Sequence, residues 1–260
     1  MVTAHLLGPT LYEPPNSSLG NELFVCMAAL AHGWKTQQDV VFLESEIQSH
    51  HKNTIFKNIT TSNNIVESSL NIYHEPGFTY TPVPNLNNIC LRGYFQSPKY
   101  FEDYTTKLQD MFGVGRFDKL SMMTDCNPDK KVLGALHVRR GDYLSMPDFH
   151  NVLDIDYYKK AVKEFPEVEH WIICSDDINW CKENFDFIPS KYFSEGRQDY
   201  EDIWLMSIAQ YHIIANSTFS WWSAWLSKEK DKKVIYPAQW FGPAINHDTS
   251  DLFPSTWRSI

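Results

Sequence analysis

The chain has 260 residues, of which 43% are apolar and 21% charged. That is a globular balance with room for one large domain or two small ones, and it excludes long disorder. With 23 basic against 32 acidic side chains the net charge is −9, which disfavours a dedicated nucleic-acid binder, whose phosphate contacts need a basic face. No run is long and apolar enough to cross a bilayer. The opening stretch lacks the basic-then-apolar order of a signal peptide. Five scattered cysteines without a CxxC pair, Cys26, Cys90, Cys126, Cys174 and Cys181, predict reduced core thiols and cytoplasmic residence.

In chain order, Leu23, Phe24, Met27 and Leu30 share one face of a helix predicted over 21–32, and Val40 to Leu43 predict a strand. Residues 48–88 are rich in Asn, Ser, Thr and Pro and carry no readable element. Arg92 to Ser97 are expected to end a strand, and a helix to run over 100–112. The turn-like Cys126-Asn127-Pro128-Asp129 sets an expected boundary, giving domains 1–128 and 129–260. Beyond it, short unalternating apolar runs at 132–138, 171–174, 213–215 and 234–236 predict strands buried on both faces. Helices are expected over 157–165, 178–185, 200–210 and 219–226, with Asp154, Asp177 and Ser217-Thr218 in capping positions. This alternation predicts a parallel sheet of Rossmann type.

Three segments can carry chemistry. His137-Val138-Arg139-Arg140-Gly141-Asp142-Tyr143 directly follows a strand, at the edge where open α/β sheets bind ligands. Two arginines there suit a phosphate or diphosphate, because a guanidinium offers forked donors and stays charged. Strand alternation sends adjacent side chains opposite ways, so one arginine is expected to meet the ligand while Asp142 holds the other. A surface loop whose arginines pair with acids accounts for the same residues equally well. Asn216-Ser217-Thr218-Phe219 opens a helix after a buried strand, where free N–H groups and hydroxyls form an anion site; a capped helix over buried tryptophans is the plainer alternative. Gly20-Asn21-Glu22 opens another helix, with Gly20 permitting close backbone approach.

The first of these segments resembles the HxRRxD signature of the α-1,2-fucosyltransferases, glycosyltransferase family 11. Gly20-Asn21-Glu22-Leu23-Phe24 resembles that family's N-terminal element, with Glu22 where Gln is usual. Gly93-Tyr94-Phe95-Gln96-Ser97, Ile173-Cys174-Ser175-Asp176-Asp177 and Ile213 to Leu226 resemble its other blocks in family order, with Ser223 replacing a usual Gly.

The resemblance implies an α/β, GT-B-like fold, two Rossmann-type domains facing a cleft. It further implies GDP-fucose as donor, a galactose-containing oligosaccharide as acceptor, and inverting α-1,2 transfer without a metal or other cofactor. The only D-x-D, Asp154-Ile155-Asp156, is better explained by helix capping. By the same resemblance Arg139 and Asp142 are catalytic. Gly20, Asn21, His137, Arg139, Arg140, Ser175, Asp176, Asn216, Ser217, Thr218 and Phe219 hold the donor, with Asp176 accepting from guanine. Tyr94, Gln96 and Trp221 face the acceptor. The general base stays open between Asp142, Glu22, Asp148, His150 and a β-phosphate oxygen. A transferase with another acceptor or donor, or a binding protein without catalysis, are the competing expectations.

Overall fold

A computed structural model describes residues 1–6, 18–127 and 129–260, without the side chains of 116–118. The chain divides into two units, Met1–Phe112 with Asp248–Pro254, and Gly113–His247 with Ser255–Ile260.

The first unit contains, in order, β1 (Val2–Ala4), α1 (Leu19–Thr36), β2 (Phe42–Leu43), α2 (Ser49–Lys52), β3 (Thr61–Ser62), β4 (Asn71–His74), β5 (Ile89–Arg92) and α3 (Thr105–Phe112). β1, β5 and β4 form a parallel sheet with β5 central, and β2 pairs in parallel with β3. α1 is buried from Leu23 through Gly33, which its small and apolar residues allow. It stops at Gln37, whose left-handed backbone returns its N–H to the carbonyls of Gly33 and Trp34. Short strands explain what the sequence did not announce. β1 is only three residues long, and β4 is largely exposed, so neither carries an apolar pattern. Residues 248–254 join this unit through Asp251, whose carboxylate accepts from the Tyr80 amide at 3.0 Å and pairs with Lys99.

The second unit contains α4 (Arg116–Cys126), β6 (Leu133–Val138), α5 (Ile155–Lys163), β7 (His170–Ser175), α6 (Ile178–Asn184), β8 (Lys191–Phe193), α7 (Asp199–Ser207), β9 (Tyr211–Ile213), α8 (Thr218–Leu226), β10 (Lys233–Tyr236) and β11 (Arg258–Ser259). All six strands are parallel, in the order β8-β7-β6-β9-β10-β11. The chain winds outward from β6 to β8, returns to β9 beside β6, and winds the other way. This is the doubly wound order, and its direction reverses between β6 and β9.

Period-two alternation assigns the faces. Leu136, Val138, Ile173 and Ile213 pack with Tyr157, Tyr158 and Cys181 from α5 and α6. Leu133, Ala135, Ile172 and Cys174 pack with Leu205 and Met206 of α7 and Met122 and Cys126 of α4. Both faces being covered is why these strands read as unbroken apolar runs. Gly134 is opposite Trp171, and a Cβ there would come within 2.6 Å of the indole, so the strand pair needs a glycine at that position.

The expected boundary at 128 differs from the observed division at 112/113, because α4 packs on β6 and α7. The turn that suggested it is internal to the second unit. Asn127 closes it by donating to the Lys131 carbonyl and accepting from the Lys131 amide, at 2.8 and 2.9 Å, while Pro128 lies outside the described residues. β9 starts two positions earlier than predicted, and the partly exposed β8 and exposed β11 were not expected.

Candidate functional site

The C-terminal ends of β6, β7 and β9 bring three of the predicted segments together in the second unit. Arg139 and Arg140 leave β6, Asp176 and Asp177 leave β7, and Asn216 through Phe219 link β9 to α8. The site therefore sits at the switch point, where two adjacent strands send their connections to opposite sides and open a crevice at the sheet edge.

Three aspartates organise the arginines. Asp142 Oδ1 lies 2.7 Å from Arg139 Nη2, and Asp176 Oδ2 lies 3.2 Å from Arg139 Nε. Asp176 Oδ1 also accepts from the Arg140 amide at 2.9 Å. Asp177 Oδ2 accepts from Arg140 Nε at 3.1 Å, while its Oδ1 caps α6 by accepting from the Trp180 amide. Arg140 lies over the Trp180 ring at 4.0 Å, a cation–π contact that fixes its plane. A Cβ on Gly141 would meet Asp176 Oδ2 at 2.5 Å, so a glycine is what lets this carboxylate reach under the loop.

The arrangement revises two expectations. Asp142 was expected to brace the arginine that does not meet ligand; it braces Arg139, and Arg140 is held by Asp177 and Trp180. Asp176 was expected at a guanine; both its oxygens face the arginine pair. Arg139 keeps capacity for an oxyanion, since its guanidinium has five donors and its side chain is 30% exposed.

The rest of the site is firmly built. Tyr143, its phenol pushed up to about 12 by burial, donates its hydroxyl to the Asn216 carbonyl at 3.0 Å, linking the arginine loop to the start of α8. Asn216 is buried, and its amide donates to the carbonyls of Asn151 and Trp240 at 2.9 and 2.8 Å. It fixes the turn, in which Ser217 is buried and Thr218 and Phe219 are half-buried. Ser217 makes no side-chain capping bond, contrary to expectation, which leaves the first-turn amides of α8 available to an anion. Ser175 Oγ accepts from the Asp177 amide at 2.9 Å. His137 is buried with its ring 5.3 Å from that of Phe219; burial, then the Arg139 charge, push it down to about 3, so it is neutral at working pH. Its Nδ1 has no hydrogen-bond partner among the described residues.

Trp221 is fully buried against Trp222, Trp225 and Trp257, so it presents no surface to an acceptor and belongs to the core. Among the base candidates, Asp142 is engaged by Arg139, and the His150 ring is stacked on Tyr143 at 4.0 Å. Glu22 is fully buried, 3.8 Å from the equally buried His51. Asp154 caps α5 by accepting from the Tyr157 amide at 3.0 Å, as its sequence position predicts.

The first unit carries the remaining predicted residues. Gly20 is buried in the first turn of α1. Asn21 Oδ1 accepts from Gln96 Nε2 at 3.0 Å, tying that turn to the segment after β5. Tyr94 is half-buried. The residue that shapes this segment, Glu75, was not singled out in the sequence. Its Oε2 accepts from the amides of Tyr94 and Phe95, both at 2.8 Å, and its Oε1 accepts from the Tyr100 hydroxyl at 3.0 Å. These bonds hold Phe95 at a φ of 51°. A glutamate in a stretch with no readable element gives no signal of such a role.

The architecture is that of the GT-B-like fucosyltransferases. Superposed on the fucosyltransferase NodZ from Bradyrhizobium, it gives a TM-score of 0.53 at 10% identity, covering 86% of this chain and 92% of that one. The model of glycosyl transferase family 11 matches residues 35–260, and the chain belongs to that family. It is 35% identical over 189 residues to the Escherichia coli O-antigen biosynthesis glycosyltransferase WbnK, covering 67% of this chain and 61% of that protein. It is 36% identical over 182 residues to an Escherichia coli alpha-1,2-colitosyltransferase, covering 65% and 61%. Similarity to the human galactoside alpha-(1,2)-fucosyltransferase 1 is 31% over 103 residues, 36% of this chain and 28% of that one. The matched stretches thus span about three fifths of either bacterial relative. No helix among the described residues is long and apolar enough to cross a membrane.

Proposed function

We propose that the protein transfers L-fucose from GDP-fucose to the 2-hydroxyl of a galactoside, with inversion and without a metal ion. The observation that carries this is the arginine pair at the switch point, braced by Asp142, Asp176 and Asp177 beside the uncapped start of α8. A diphosphate leaving group accumulates negative charge as the bond between the sugar's anomeric carbon and the β-phosphate oxygen breaks. Arg139 meets that charge, and the first-turn amides of α8 add fixed dipoles. Because the aspartates already hold the guanidiniums, little reorganisation is needed as charge develops. The acceptor oxygen attacks from the opposite face, which inverts the anomeric carbon, and its hydroxyl proton ends on an oxygen of the departing β-phosphate. Asp142 serves as the brace of Arg139 and not as the base. Neutral His137 packs beside Phe219 without adding a charge that varies with pH. Five buried, unbridged cysteines suit residence in a reducing compartment, which we take to be the cytoplasm.

The test incubates the purified protein with GDP-fucose, EDTA and a panel of β-galactosides, and looks for a deoxyhexosyl mass increment. Transfer to a galactoside supports the proposal; bound GDP-fucose with no product from any acceptor overturns it. The likeness to a colitosyltransferase supports a second donor, so GDP-colitose is run in parallel. Product with that sugar alone reassigns the donor and leaves the site chemistry in place.

A further inference from the structure

The segment after the arginine motif carries apolar surface that the fold does not use. Leu144, Met146 and Phe149 are 49%, 39% and 51% exposed, three of the eight large hydrophobics exposed among the described residues. Their backbone is nevertheless held firmly. The Gly242 amide donates to the Phe149 carbonyl at 2.9 Å, and the Ala244 amide to the Asp148 carbonyl at 2.8 Å. The amides of Phe149 and His150 both reach the Met146 carbonyl, and His150 bridges Phe241 in antiparallel fashion. The close approach depends on Gly242, where a Cβ would fall 2.5 Å from the Asp148 carbonyl oxygen.

A chain of side-chain contacts links this segment to the site. The Arg139 guanidinium lies 5.3 Å from the Tyr143 ring, Tyr143 is stacked on His150, and Phe149 is the next residue. An exposed aromatic on a fixed backbone loses little freedom when it binds a ligand. We propose that Phe149, flanked by Leu144 and Met146, is an acceptor subsite that receives the apolar face of a galactopyranoside; this rests on the transferase reading above. In galactopyranose the axial O4 leaves the C–H groups of C3, C4 and C5 together on one face. That face packs on an aromatic ring by apolar burial and weak C–H contacts, and it leaves the equatorial O2 free to react. The exposed Asp148 next to Phe149 is placed to accept from ring hydroxyls.

Two measurements test the subsite. Saturation-transfer NMR with methyl β-galactopyranoside reads binding without turnover: the wild type saturates the C3–C5 protons, Phe149→Ala loses that signal, and Phe149→Trp keeps it. In the transfer assay Phe149→Ala raises the acceptor KM about tenfold, while the GDP-fucose KM and donor hydrolysis stay within about twofold. An acceptor KM and a saturation pattern both unchanged in Phe149→Ala overturn the proposal. So does loss of co-sedimentation with phosphatidylglycerol vesicles in that variant while saccharide saturation persists, which makes the patch a bilayer contact. A wild type that saturates the galactoside through Phe149 yet transfers no sugar defeats the transferase reading and leaves the subsite standing.

Discussion

Arg139 is engaged by Asp142 on one nitrogen and by Asp176 on another. Gly141 makes the second contact possible, so its substitution tests the brace without touching either charge. Gly141→Ala drives the new methyl into the Asp176 carboxylate, and the account predicts a fall in kcat of about tenfold or more, with the GDP-fucose KM rising less. Unaltered kinetics in a folded Gly141→Ala protein would mean that Asp176 does not set the arginine. Residue chemistry was legible only in part here. HVRRGD marked an arginine pair at a strand end, which suited either an oxyanion or pairing with acids, and the structure shows the pairs with Asp142, Asp176 and Asp177. Which acid holds which arginine was not legible, because that depends on the loop bringing Asp142 back over Arg139. Trp221 was placed at the acceptor by the resemblance, whereas the plainer reading of its segment, a helix over buried tryptophans, is what the packing shows.

At the level of elements, Asp177 has two tasks, one oxygen capping α6 and the other holding Arg140. Asp177→Ala removes both, and the expected loss of stability is about 1 kcal/mol from the cap alone, read as a lowered denaturation midpoint. Asp177→Ser restores the cap without the charge, so it should recover the midpoint and not the activity. Equal recovery of both would show that the contact with Arg140 is idle. In the core, Gly134→Ala pushes a methyl into the Trp171 indole, and overpacking of this kind costs about 1–3 kcal/mol. The strands of this unit could be read from sequence because both faces are buried, so apolar runs appear without alternation. In the first unit β1 and β4 could not, being too short or too exposed to leave a pattern. The Glu75 network is a long-range contact between residues nineteen and more positions apart, and no local signal announces it.

For the whole molecule, two buried histidines contribute a defined part of the response to acid. His137 and His212 are pushed down to about 3, chiefly by burial, from an ordinary value of 6.5. The unfolded chain takes up protons at these rings as pH falls below 6.5, and the folded chain does not. The contribution of these two rings is therefore full above pH 6.5 and falls as pH drops toward 3, by about 1.4 kcal/mol per pH unit for each ring. A His212→Gln variant, weaker at neutral pH for loss of packing, should show a smaller fall in midpoint between pH 7 and pH 5 than the wild type. Parallel curves would contradict the assignment.

The claim on which the functional account turns is that Arg139, not a bound ion, neutralises the departing diphosphate. The most direct measurement is kcat/KM for sugar transfer by wild type and Arg139→Ala, each with EDTA and with added manganese. The account predicts a wild type indifferent to EDTA, and a folded Arg139→Ala protein slower by about 10²–10³ that manganese does not rescue. An Arg139→Ala protein as fast as wild type, or a wild type inactive until manganese is supplied, would contradict it.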